Sequence, residues 1–282
     1  MIEKYYNGVI EQVAGGIGNV EHNSILVRYS NDFSIWDLES VNHYKDQTDI
    51  VFTCHEFSYN KIAEAYEPYL GLILQMFHKY CSGTLEEFME ECDVYKLQRP
   101  VFESYFEKGF CERTEQILID EVEYEQERMR NSIVTMLQKL SEIRPVVIVL
   151  NRFQLASKST MQLSNSLLQV KNKNIGIVLG VNDVQSIPEF AHEEWDAICE
   201  SMDDRNMVYH IGNAGRNMEP DVMDYYSDYE SDDGYRKLNN LVYFLDFDQA
   251  DHHLSKIERR IKFDNFTISE KKHYQLLLLQ IM

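Results

Sequence analysis

The sequence predicts an α/β fold: a mostly parallel central sheet flanked by helices, followed by C-terminal helices. Three observations carry this. Val146–Leu150 and Ile175–Val181 are short runs dominated by branched aliphatics, which read as strands buried on both faces. Ser157–Val170, between them, has helical spacing, so Arg144–Asp183 is a strand–helix–strand unit whose strands run parallel. Further apolar runs alternate with helical segments along the rest of the chain, the pattern of a layered sheet.

The elements follow in order. Asn7–Val13 predicts a short helix ahead of the Gly-rich turn Ala14–Asn19. Ser24–Tyr29 reads as a strand, Ile35–Tyr44 as a helix after a polar loop, and Asp49–His55 as a second strand. Tyr69–Tyr80, Thr84–Cys92 and Pro100–Phe110 are helical. In Glu112–Glu142, Leu118, Val122, Met129, Ile133, Leu137 and Leu140 recur at three- and four-residue steps, which predicts one long amphipathic helix. A helix over Pro188–Met202, a strand at Met207–Ile211, a strand at Leu241–Phe247 and helices over Asp248–Ile261 and Ser269–Ile281 complete the chain. The strands around Leu26, Phe52, Ile148 and Val178 are expected side by side, with Ile148 central. Residues 1–262 are expected to form the α/β domain, and 263–282 a C-terminal helix that opens a further helical region.

Composition narrows the function. With 282 residues, 44% of them hydrophobic, the chain can bury a sizeable core. A formal charge of −20 repels nucleic-acid backbones and anionic membranes, so neither is an expected partner. Five scattered cysteines (Cys54, Cys81, Cys92, Cys111, Cys199) without CxxC spacing read as reduced thiols of a cytoplasmic protein. No run approaches membrane-spanning length and the first residues have no apolar signal core.

In open parallel sheets ligands sit at the carboxyl ends of the strands, which singles out Asn151, Arg152, Asn182 and Asp183. The order of elements across Gly8–Lys262, with YEPYLGLILQMF at Tyr66–Phe77 after the second strand, resembles the three-layer P-loop NTPase core of AAA-type ATPases, in particular the signal-transduction branch called STAND. The resemblance implies a phosphate loop after the first strand, acidic Walker B residues after the strand fed by the long helix, and a polar sensor residue after a further strand. A phosphate loop needs glycines so that backbone N–H groups can curl around phosphate, a lysine for the β/γ phosphates and a hydroxyl for Mg²⁺. The corresponding window here is Tyr29–Trp36. Tyr29 and Ser34 stand where the glycines belong, Ile35 replaces the lysine, Trp36 replaces the Ser/Thr, and Asp32 adds a negative charge. At the Walker B position stand Asn151 and Arg152, poor hosts for a divalent metal, and Arg152 is expected to pair with a carboxylate. Asn182 resembles the sensor residue. The resemblance thus implies a domain whose nucleotide site is vestigial.

Other constellations carry less. Cys54, His55 and Glu56 are adjacent on a strand and point to alternating faces, so they cannot grip one metal. Asp248 and His252 share a helix face, where helix capping by Asp248 and an exposed ion pair are expected. Glu219–Gly234 holds seven carboxylates and no basic residue, which reads as a solvated loop or a docking segment for a basic partner. The resulting expectation is a non-catalytic AAA/STAND-like regulatory or scaffold module that needs no cofactor. It would act through contacts with a protein partner or a downstream domain of the same polypeptide. The alternatives are an atypical ATPase binding ATP with Mg²⁺, and a purely structural interaction domain.

Overall fold

The structure is a computed structural model that describes residues 2–18, 23–30, 34–45, 49–58, 61–111, 122–170, 172–182, 187–203, 208–211 and 232–261. Strands β1 (Ser24–Tyr29), β2 (Val51–Glu56), β3 (Val146–Asn151), β4 (Ile175–Asn182) and β5 (Val208–Ile211) form one sheet. Their order is β2-β3-β4-β1-β5 and every pairing is parallel. The four strands expected to lie side by side do so, but the middle strand is β4, not the strand of Ile148. Both β3 and β4 are buried along their whole length, which is why they are aliphatic without alternation.

The strand order fixes which face each helix covers. The chain leaves β1 toward one edge to reach β2 and then steps back through β3 to β4, so right-handed crossovers put the first connection and the later ones on opposite faces. Helices α1 (Ile2–Gly16) and α2 (Glu39–Lys45) accordingly pack with Ile25, Val27, Val147, Val149 and Val178 on one face. The alternate residues Leu26, Ile148, Leu150, Ile177 and Leu179 face a larger core. That core includes residues of α3 (Tyr69–Tyr80), α4 (Leu85–Glu91), α5 (Arg99–Lys108), α6 (Val122–Ile143), α7 (Lys158–Gln169) and α8 (His192–Asp203). Helices α9 (Asp232–Tyr243) and α10 (Phe247–Ile261) pack into the same core.

Several elements depart from the sequence reading. The first helix begins at Ile2, and Ile35–Tyr44 is not one helix. A 3-10 turn at Ile35–Asp37, capped by Ser34, stops at Leu38, whose extended backbone (ψ 131°) separates it from α2. Leu38 is fully buried there. Leu241–Phe247 is not a strand. Leu241 and Val242 belong to the last turn of α9, and Leu245, at φ 65°, turns the chain into α10. An apolar run this short fits either period. Tertiary packing decides it: Phe244 wedges between Tyr66, Phe102 and Tyr105, with ring centroids 5.6, 5.9 and 5.4 Å away. In the acidic segment, Asp232–Gly234 are the first turn of α9 rather than loop, with Asp233 Oδ1 2.8 Å from Arg236 Nη2 and its Oδ2 3.3 Å from Lys237 Nζ. Residues 219–231, the helical stretch 112–121 and the C-terminal helix expected at 269–281 lie outside the described residues.

Ile148, in register between Thr53 and Ile177, tests the double burial of the sheet. Ile148→Asp strands an unpaired carboxylate in the core at a cost of several kcal/mol, on the order of a domain's whole stability. The expected result is loss of the cooperative thermal melt. Tyr124→Asp, at a side chain 66% exposed, should melt as the wild type does. A soluble, cooperatively melting Ile148→Asp protein would contradict this placement.

Candidate functional site

The direction of the connections reverses between β1, which leads to β2, and β4, which leads to β5, so the topological switch point lies at the carboxyl ends of these two neighbours. Tyr29 and Asn182 are register partners at that end. Asn151 ends β3 on the other flank of β4. The fold therefore brings together three residues that are far apart in sequence: Tyr29 Oη donates to Asn151 Oδ1 at 2.7 Å, reaching across β4. Gly180 of β4 lies beneath this bond. A Cβ built there would fall 2.6 Å from Asn151 Oδ1 and closer still to Tyr6 Oη. Tyr6 comes from α1, fully buried, its ring edge-on to that of Tyr29 with centroids 6.4 Å apart. Burial above all, with the neighbouring Tyr29 second, pushes the Tyr6 hydroxyl well above its ordinary value, so it stays protonated. The Nδ2 of Asn151 has no hydrogen-bond partner among the described residues. Two phenol rings and an amide thus occupy the crevice.

The other positions of the window form a second group beside it. Ser34 Oγ donates to Glu56 Oε2 at 3.1 Å, and Arg152 Nη1 lies 3.1 Å from Glu56 Oε1. Arg152 does pair with a carboxylate, as expected. The pair is largely buried, with side chains 17% and 9% exposed, and Arg152 holds a left-handed backbone (φ 53°) to reach it. Ile35 is fully buried and Trp36 is 50% exposed, so neither occupies the place of a cation or a metal ligand. Asp32 and Asp183 lie outside the described residues. The main-chain N–H of Asn182 is 3.3 Å from Gln154 Oε1. Cys54 and His55 do face opposite ways. Cys54 packs with the α1–α2 layer and burial pushes its thiol up to about 12, while His55 stacks edge-on against Phe57 at 4.5 Å. His55 Nε2 lies 3.6 Å from Glu67 Oε1, yet burial drives the imidazole down to about 4, so at neutral pH this contact is not an ion pair.

A third group lies at the amino end of α7, just beyond β3. Ser157 caps the helix, accepting from Thr160 N–H at 3.2 Å and donating to Glu64 O at 2.9 Å. Asp246 Oδ2 accepts from Ser159 N–H at 2.8 Å, and the same carboxylate accepts from the backbone of Gln249 in the first turn of α10. Asp246, not Asp248, therefore takes the capping position of α10. Asp248 instead makes an ion pair with Lys158. Glu64, nearly buried, is gripped by both Nη atoms of Arg236 at 3.2 and 2.7 Å, tying α9 to the loop that follows β2.

No group of three or more metal-ligating side chains occurs among the described residues. No described helix is long and apolar enough to cross a membrane. No protein-family model matches the chain, and no curated protein matches it.

Tyr6, Glu56, Gly180 and Asp246 escape a reading of the sequence as site residues. Tyr6 had a usable signal, because Tyr6, Ile10, Val13 and Ile17 fall on one helical face. Glu56, Gly180 and Asp246 had none, since their partners are distant in the chain.

Two predictions test this geometry. Gly180→Ala overpacks the crevice and should destabilise the protein by about 1–3 kcal/mol in chemical denaturation. Combining it with Tyr6→Phe, which removes the oxygen nearest the new methyl, should recover part of that loss. The second concerns pH. The folded value of His55 lies below its unfolded value, so the unfolded chain binds the proton first and stability is lost as pH falls from about 6.5 toward 4. His55→Gln should remove part of that loss, on the order of 1–3 kcal/mol at pH 4. Identical acid-denaturation curves for variant and wild type would contradict the burial assigned to His55.

Proposed function

We propose that this chain is a non-catalytic regulatory or scaffold module of the degenerate AAA/STAND type, a P-loop NTPase-like domain that works through protein contacts rather than nucleotide turnover. The observation that carries the reading is the Tyr29–Asn151 hydrogen bond over Gly180. It joins the position where the resemblance expects a phosphate loop to the position where it expects the Walker B acid, and fills the space between with side chains. A phosphate there needs converging N–H donors and a cation. Among the described residues the nearby groups are instead a phenol, an amide, buried Ile35, and an Arg152 paired with Glu56. The three ends the resemblance singles out, those of β1, β3 and β4, lie next to one another, which favours a relative of such a domain over an unrelated parallel sheet.

Calorimetric titration with Mg-ATP and Mg-GTP at cellular concentrations tests this. The expected result is no heat beyond dilution and no phosphate release in a parallel turnover assay. Micromolar, Mg²⁺-dependent binding would overturn the reading and favour the atypical ATPase.

A further inference from the structure

The polar group between α7, α8 and the α9–α10 turn has an uneven charge count. Lys158, on the first turn of α7, is a cation at a helix end that favours anions. It pairs with Asp248 and lies 3.7 Å from Glu194 Oε1 of α8, and the buried carboxylate of Asp246 also acts on it. Among the described residues, three carboxylates therefore share one ammonium. Two of their oxygens, Asp246 Oδ1 and Glu194 Oε2, are buried without a hydrogen-bond partner among the described residues. A proton on the Asp246 carboxyl removes a buried charge whose Oδ1 has no donor and leaves Oδ2 free to keep accepting from Ser159 N–H.

Among the described residues, the surrounding groups supply no further cation to Asp246. Tyr66, on the loop before α3, is fully buried and held protonated, its hydroxyl pushed far above its ordinary value chiefly by burial. Arg130 of α6 donates to Gln162 at 2.9 Å, and Gln162 in turn donates to Glu194 Oε1 at 2.8 Å, so Arg130 reaches Glu194 through an amide, and it also acts on the Tyr66 hydroxyl. Further along α10, His253 is buried and kept neutral, with His252 ring-to-ring beside it. Glu64 is taken by Arg236.

We propose that the seam between the α9–α10 turn and the amino end of α7 is a proton-operated latch: on acidification it takes up a proton on Asp246 and seats α10 more firmly against α7 and α8. Burial, opposed by the Ser159 hydroxyl, by the Ser159 and Gln249 N–H donors and by Lys158, raises the Asp246 carboxyl above its ordinary value, in the direction the latch requires. With the folded value above the unfolded one, the folded protein binds the proton first, so this contribution to stability grows as pH falls through the folded value. His55 and His253 act in the opposite sense, so total stability alone cannot report the latch. The inference does not depend on whether nucleotide binds at the switch point.

The test compares wild type with Asp246→Asn, which keeps an acceptor for the Ser159 N–H but cannot titrate. Thermal melts are run from pH 7.5 down to about pH 3.5 at constant ionic strength, with hydrogen exchange of the first turns of α7 and α10 as the local readout. The variant should melt above wild type at pH 7.5, the gap should close as pH falls through the Asp246 value, and α10 protection should rise on acidification only in wild type. Parallel melting curves, or equal exchange behaviour, would overturn the proposal. Direct titration of the Asp246 carboxyl carbon by NMR in wild type decides the matter even if the variant does not fold. A midpoint above that of an ordinary aspartate supports the latch, and one at or below it overturns it.

Discussion

The arrangement depends on how closely α1 can approach the middle strand. β4 carries glycine at 176 and 180, four residues apart and therefore on one face. A Cβ at Gly176 would lie 2.6 Å from Val13 Cγ1 and 3.2 Å from Ile17 Cδ1, and one at Gly180 would collide with Tyr6. The bare backbone of β4 is the groove into which the Tyr6–Val13–Ile17 face of α1 settles. Gly18 N–H then bonds Lys173 O at 2.7 Å, fastening the end of the helix beside the start of the strand. This contact buries the second face of the sheet. The same contact delivers a tyrosine into the crevice where parallel sheets usually hold ligands.

The carboxyl end of the sheet is tied together by buried charge. Arg152–Glu56 links the loops after β3 and β2, and Arg236–Glu64 links α9 to the loop after β2. Such pairs forfeit hydration and add little net stability, but losing one partner leaves a buried charge and costs about 3–5 kcal/mol. They therefore select one arrangement of loops more than they strengthen it. The amino end of α7, a natural anion site, receives the chain's own Asp246. Crevice and helix end alike are filled from within, by Tyr6 in one case and Asp246 in the other.

The lone hydroxyl, amide and carboxylate groups in these places also explain why the site resists reading by motif. Asn151 and Asn182 stand out by their place at strand ends and Tyr29 by its place in the phosphate-loop window, and the three do converge. Their partners did not announce themselves. Glu56 sits in a Cys-His-Glu run that draws attention as a metal motif and serves instead as the anchor of Arg152.

The sequence by itself determined the elements whose signal is local. The strands β1 to β5 and the helices α3 to α7 follow from aliphatic runs and helical spacing. The parallel pairing of β3 and β4 followed from the helix between them. Tertiary structure alone decided the strand order, the place of β4 at the centre, the helical state of Leu241–Val242 and the identity of the groups that meet at the carboxyl end. The reason is physical. Periodicity reports which side of a segment avoids water, but not which distant surface covers it. Gly180 and Tyr6, or Asp246 and Ser159, acquire meaning only when packing brings them within touching distance.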